Sequence, residues 1–304
     1  MSETMIRSQQ TAGDRAVARK PAPGNWRRAW QRYCRNKPAV ISLAVILLFA
    51  AIALCAPLVS EYVTHANPNK QRLLNNFGPI SDKNWLGTDE YGRDVLTRLI
   101  YGGRVSLGIA FLATAVTAIV GSAVGAVAAY YGRWVDAVLM RGVDVMMAIP
   151  TIYILLLVGS LVSVTPVQLA ILIALVGWFP LARLVRSEVL SVRQREYVEA
   201  ARVLGAPDGV IIRRHVMPNV LHIVIVYATA SVPGFILTEA ALSYLGLGVK
   251  PPTASWGTML NNATQYLYKS PALIFYPGIA IAITVLAISI IGNGLRDALD
   301  PRQQ

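Results

Sequence analysis

Long uncharged apolar runs alternate with short charged stretches along most of this chain. Residues 39–60 form one uncharged run and residues 105–131 a second. Each is long enough for a membrane-crossing helix, which needs about 20 apolar residues. Residues 145–182 are also uncharged, and too many for one crossing. Within them "SVTPVQ" (residues 163–168) carries a proline, which disfavours helix at the residue before it. The pattern predicts a tight turn there and two spans, near residues 138–163 and 168–187. A further run extends over about residues 219–247, interrupted by His222 and Glu239, and the last covers residues 270–295. The expected fold class is an all-α integral membrane protein with six transmembrane helices. In the second run, "GSAVG" (residues 121–125) offers a small-xxx-small face for close helix packing.

Composition agrees with that pattern. The 304 residues are 55% hydrophobic and 14% charged, with mean hydropathy +0.49. Soluble domains carry about 25% charge. The net charge of +12 is clustered. Arg7, Arg15, Arg19, Lys20, Arg27, Arg28, Arg32, Arg35 and Lys37 precede the first run, and Arg183, Arg186, Arg193, Arg195, Arg202, Arg213 and Arg214 surround a charged insert. The opposite loops are poorer in Lys and Arg for their length. This asymmetry places both termini and the insert in the cytoplasm. The basic charge then serves topology and lipid headgroups, and no nucleic-acid partner is needed. The basic segment 1–37 has no apolar stretch with a small-residue cleavage site, so no cleavable signal peptide is expected. The expected organisation is a first helix over 38–60, an extracytoplasmic loop over 61–104, a five-helix core over 105–296 that includes the insert at 190–219, and a tail over 297–304.

Candidate chemistry is sparse. Cys34 and Cys55 suggest packing, with no disulfide framework or metal spacing. His65, His215 and His222 are too scattered for a metal site. "GTDEYGRD" (residues 87–94) has P-loop-like glycine spacing but lacks the lysine and hydroxyl that hold phosphate and Mg²⁺. The chain itself is therefore expected to be neither an ATPase nor an enzyme. Arg141 and Asp144 sit three apart and are expected to pair locally. Glu239 lies deep in the fifth run, where an acid is costly and by default functional. It either faces the substrate's ammonium end in a hydrated path or makes a buried hydrogen bond to another helix.

The insert reads "EYVEAARVLGAPDGVIIRRHVMPN" (residues 196–219). Tyr197, Ala200, Ala201 and Leu204 fall at helical spacing. Gly205 is placed to end that helix, and Pro207 to open a second one. Val210, Ile211 and Ile212 are expected to share a face, with Pro218 closing the second helix before the next span. The result is a helix–glycine–helix elbow lying flat on the cytoplasmic membrane surface.

This insert resembles the EAA loop of bacterial ABC importer permeases (EAA-x3-G-x9-I-x-LP). Glu199, Ala200, Ala201, Gly205 and Pro218 match, Met217 replaces the leucine, and His215 stands at the isoleucine position. "LGTDEYGRDVLTRLIYGGRVSL", "YYGRWVDAVLMRGVDVMMAIP", "LSYLGLGVKPPTASWGTML" and "GNGLRDALDPR" are similar to the dipeptide, oligopeptide and nickel branch of that family. Asn293 stands where that branch often has aspartate. The resemblance covers about residues 30–302 and implies a type I ABC importer permease fold in the bacterial inner membrane. It implies a peptide importer's second permease subunit, paired with a homologous subunit as a heterodimer. Two ABC ATPase subunits and an extracytoplasmic substrate-binding protein complete the implied complex. No cofactor is expected on this chain; ATP and Mg belong to the ATPases. Glu196, Glu199, Ala200, Ala201, Gly205, Arg213 and Pro218 are the implied ATPase-coupling residues. Trp85 and Trp256, in the outer segments, are expected to face the receptor. Nickel, glutathione or an oligosaccharide are alternative cargoes. A lipid-modifying membrane enzyme or an assembly protein are readings from other classes; the first would need a catalytic cluster at one interface, and the second would not need this elbow.

Overall fold

An uncharged run in lipid satisfies its backbone groups by closing them into helix. The computed structural model, which describes residues 25–299, is helical along all of these runs. In chain order the helices are α1 (Asn25–Arg35), α2 (Lys37–Leu54), α3 (Ala56–Tyr62), α4 (Val95–Tyr131), α5 (Arg133–Ala148), α6 (Thr151–Leu161), α7 (Pro166–Val192), α8 (Glu196–Val203), α9 (Asp208–Ile211), α10 (Met217–Tyr244), α11 (Trp256–Thr264) and α12 (Ala272–Leu299). Five helical stretches are long and apolar enough to cross a membrane: α2, α4, α7, the continuous stretch Asp208–Tyr244, and α12. The pair α5 and α6 is bent by 80° and makes a sixth crossing only if counted as one broken span. The basic residues Arg7, Arg15, Arg19 and Lys20 and the expected absence of a signal peptide lie outside the described residues.

The turn between the third and fourth runs lies where Pro166 predicts it. Pro166 opens α7, and Thr165 and Gln168 cap each other's backbone. Elsewhere the boundaries move. The span expected over 138–163 breaks at Ile149–Pro150, with Ile149 extended (φ −92°, ψ 123°) as a residue before proline prefers. The second span starts at Val95, so the last ten residues expected in the 61–104 loop are helical. Asp94 caps this extension by accepting from the Thr97 N–H at 2.8 Å. The segment expected as 1–37 already contains α1, and α12 runs past residue 296 into the expected tail.

α4 and α7 pack along most of their lengths at the centre of the bundle. The small-residue face at 121–125 makes this possible: a Cβ on Gly125 would strike the Ala182 carbonyl oxygen, and one on Gly121 would crowd Leu181. α10 then packs on α4, α12 on α10, and α2 on α12. Cys34 and Cys55 are exposed, contrary to the packing role expected of them.

Candidate functional site

The elbow forms at one end of α4. α8 ends in a paired-bond cap: the Gly205 N–H donates to Arg202 O at 3.0 Å and the Ala206 N–H to Ala201 O at 3.1 Å. This cap needs the left-handed backbone that Gly205 adopts (φ +80°), at no Cβ penalty. Glu196, Glu199, Ala200, Gly205, Arg213 and Pro218 are all exposed, and Ala201 is half-buried. At the tip, Val203 and Leu204 are 87% and 86% exposed. Beneath it, Val198, Ile211, Val216 and Val220 are buried against α4 and α7. The elbow is thus anchored by one apolar face and presents a second, small one outward.

Its second limb differs from expectation. Val210 is exposed while Ile211 is buried, so the apolar residues there do not share a face. Pro218 does not close the limb but sits in the first turn of α10, and helix is continuous from Asp208. Residues 212–216 form a wide π-type turn in which the Met217 N–H donates to Ile212 O. Such a turn accommodates a proline that cannot donate, and Asn219 Nδ2 donates to His215 O at 2.6 Å. α8 therefore joins α10 through a single hinge at Gly205.

Two further contacts tie the elbow to α4. The Tyr130 hydroxyl donates to Asp208 Oδ1 at 2.6 Å, with the Arg202 guanidinium 5.8 Å from the centre of the Tyr130 ring. Arg193 Nη1 donates to the carbonyls of Ala129 (2.6 Å) and Tyr130 (3.3 Å), at the α4 C-terminus. Sequence patterning carries no signal for these contacts, because the partners are up to 78 residues apart. The same holds for Asp136–Arg186 and Asp144–Arg183, which join α5 to α7. The expected local pair of Arg141 with Asp144 does not form; Asp144 pairs instead with Arg183 on the packed neighbour.

At the other end of α4 the long loop folds around buried charge. Arg93 donates through Nε to Asp89 (2.6 Å) and through Nη2 to Glu90 (2.9 Å). Arg98 lies 3.4 Å from Asp89 and donates to Pro68 O at 3.0 Å. Asn84 Nδ2 donates to Asp94 at 2.8 Å. Burial, reinforced by the neighbouring Asp89 charge, pushes the Glu90 carboxyl above the usual range, while Arg93 and Arg98 pull it back. The stretch "GTDEYGRD" therefore supplies an internal ion network. Trp85 is 54% exposed on this loop. Trp256 is 3% exposed, which corrects its expected receptor-facing place. Its indole N–H donates to Leu99 O at 3.0 Å, and its ring lies so close to Gly103 that a Cβ there would meet it at 2.9 Å.

Glu239 has no exposed surface. Ser106 Oγ donates to its Oε2 and Ser243 Oγ to its Oε1, both at 2.7 Å. The Trp256 N–H donates to Ser106 Oγ and the Val249 N–H to Ser243 Oγ, each at 3.2 Å. The acid thus closes a network joining α4, α10, α11 and the loop before it. That geometry is the buried hydrogen bond, not the hydrated path expected as the other reading. The packed helices exclude water from its carboxyl group, which takes the nearest hydroxyl donors. Among the described residues, no group of three or more His, Cys, Asp or Glu has metal-holding geometry.

Sequence comparison agrees with this architecture. Residues 119–304 match the family described as "Binding-protein-dependent transport system inner membrane component". Residues 24–79 match the "N-terminal TM domain of oligopeptide transport permease C". The chain is 39% identical to the dipeptide transport system permease protein DppC of Alkalihalophilus pseudofirmus, covering 92% of this chain and 90% of that one. It is 36% identical to the oligopeptide transport system permease protein OppC of Bacillus subtilis (96% and 94% covered). It is 37% identical to the glutathione transport system permease protein GsiD of Pectobacterium atrosepticum (91% and 91%). With an all-helical, multi-pass bundle and an exposed elbow of EAA spacing, the chain belongs to the family of inner-membrane components of binding-protein-dependent transport systems.

Proposed function

We propose that this chain is one of two homologous permease subunits of an ATP-driven importer of di- and oligopeptides in the bacterial cytoplasmic membrane, with both termini cytoplasmic. The observation that carries the motor contact is the elbow: a hinged helix anchored by Val198 and Ile211 that offers Val203 and Leu204 to solvent. Exposed apolar side chains at the end of a short hinged helix suit the cleft of a soluble subunit. One of the two ABC ATPase subunits binds there, and the pair holds the ATP and Mg; Glu196, Glu199, Ala200, Ala201, Arg213 and Pro218 lie on or beside that surface. An extracytoplasmic binding protein delivers the cargo to the loop that carries Trp85. The peptide cargo is supported by the relatives, which are permeases of dipeptide and oligopeptide transport systems, and the glutathione relative keeps that tripeptide as the second reading.

Motion passes from the elbow along two routes. α9 runs without interruption into α10, and Tyr130–Asp208 links the elbow to α4. The test is reconstitution of the chain with its partner permease, ATPases and binding protein in proteoliposomes. ATP-dependent accumulation of labelled dipeptide is expected. Accumulation of glutathione in preference to dipeptides would favour the second reading, and uptake of neither would overturn the proposal.

A further inference from the structure

A cavity of about 540 Å³ opens between α7, α10 and α12 in the half of the bundle nearest the elbow. Its walls are mostly apolar, with Leu184, Ile223 and Val226 among them. Its polar groups include His222, Asn293 and Arg296. Among the described residues no hydrogen bond or ion pair engages these three side chains, and no acidic residue lines the cavity. A cation and two unspent hydrogen-bonding side chains beside apolar walls suit a small amphiphilic anion. The volume falls in the range of about 300–1,000 Å³ typical of small-molecule sites.

We propose that this cavity binds the C-terminal carboxylate of a peptide leaving the permease; the assignment rests on the peptide-import reading above. Arg296 supplies the charge, Asn293 and the His222 ring supply hydrogen bonds, and Leu184, Ile223 and Val226 receive the terminal side chain. The carboxylate is the end of the peptide that this site recognises, because the cavity wall offers positive charge and no negative charge. The amino end has no matching partner in Glu239, whose oxygens are buried and already accept from Ser106 and Ser243. The site also lies where it can respond to the motor. His222, Ile223 and Val226 stand on α10, which is one helix with the elbow's second limb, whereas Asn293 and Arg296 stand on α12. Movement of α10 relative to α12 would separate the hydrogen-bonding side chain of His222 from the cation and release the anion. Hydration weakens the pairing, as a transient stop on an exit path requires.

The test compares uptake of one short peptide with a free C-terminal carboxylate and the same peptide as its C-terminal amide. It uses the complete complex in proteoliposomes, with wild type, Arg296→Gln and Arg296→Lys. Any preference of the binding protein cancels when the acid-to-amide ratio of each variant is divided by that of wild type. Arg296→Gln is expected to change this ratio about threefold to tenfold, the range for loss of one partly hydrated charge-assisted bond, and Arg296→Lys to restore most of it. An unchanged ratio in Arg296→Gln, with both peptides imported and the complex intact, overturns the site. An equal loss for both peptides that follows the anionic-lipid content of the vesicles also overturns it, because Arg296 would then be a headgroup contact. If wild type imports neither peptide while its ATPases remain active, the peptide-import reading falls and this one with it.

Discussion

The two ends of α4 are built in opposite ways. At its start, Arg93 and Arg98 are buried with Asp89 and Glu90, Asp94 caps the helix, and Trp256 is locked over Gly103. At its end, the elbow rests on one apolar face, turns on the single residue Gly205 and leaves Val203 and Leu204 in solvent. Buried ion pairs hold one geometry, since separating a partner strands a desolvated charge. A short helix on a glycine hinge has few such constraints and can move as a unit. The loop end of α4 is therefore held in one geometry, while the elbow end carries a short helix that a single glycine lets tilt. α4 spans 37 residues, about 55 Å at 1.5 Å per residue, so it joins the two ends as one rigid element.

The hinge is the most sensitive position. Gly205→Val forces a β-branched residue into left-handed backbone, where open space around the Cβ offers no relief. The strain, on the order of 1–2 kcal/mol, should displace α8 without unfolding the bundle. Peptide uptake and stimulation of ATP hydrolysis by loaded binding protein should each fall at least about tenfold, a factor worth 1.4 kcal/mol, while the complex still co-purifies. Wild-type stimulation in this variant would remove the hinge from the account.

At the fixed end, Glu239→Ala should lower the thermal stability of the assembled complex by about 2–3 kcal/mol, because it strands the Ser106 and Ser243 hydroxyls. Glu239→Gln keeps one acceptor and should cost less. Neither should alter preference between neutral and charged peptides. A changed preference in an intact complex would return Glu239 to the path.

Tyr130→Phe removes one hydrogen bond to the elbow, worth about 1 kcal/mol. The peptide transported per ATP hydrolysed should fall several-fold with assembly unchanged. Asp208→Asn retains an acceptor for the Tyr130 hydroxyl and should behave close to wild type, whereas Asp208→Ala should resemble Tyr130→Phe. Equal behaviour of Asp208→Asn and Asp208→Ala would show that the bond does not transmit motion.

Glu90 gives the smallest effect. Its folded-state pKa is raised above that of the unfolded chain, so folding favours the protonated form. That contribution is fully present below the ordinary carboxylate range and is lost as pH rises through the raised value. Melting of the loop, followed by Trp85 fluorescence, should therefore shift slightly downward across that interval. Glu90→Gln should flatten this dependence. A wild-type profile without the shift would place Glu90 in water.

Where a local rule governs, the sequence was readable. Uncharged length located the five long spans, Pro166 located the turn, and Gly205 located the end of α8. The 121–125 glycines predicted a close helix contact, which α7 supplies. Where a residue's fate depends on a distant partner, local patterning misleads. Trp256 looks like an interfacial aromatic until Leu99 and Gly103 are brought beneath it. Asp144 has Arg141 within reach along its own helix but finds Arg183 across the bundle. Pro218 normally signals a helix end, yet the wide turn at 212–216 carries the helix through it. Glu239 was legible as a residue needing explanation, while its serine partners were not, since Ser106 is 133 residues away.

Crosslinking from the tip of the elbow shows whether the motor drives this subunit through it. Cys34 and Cys55 are first replaced by serine, and Leu204→Cys is introduced in the complete complex. With a short bifunctional thiol reagent, Leu204→Cys should crosslink to an ATPase subunit, with a yield that changes between the ATP-bound and nucleotide-free states. A control cysteine at Trp85 should give no ATPase product. Crosslinking of Leu204→Cys to the binding protein, or no ATPase product in a complex that is hydrolysing ATP and importing peptide, would contradict the account.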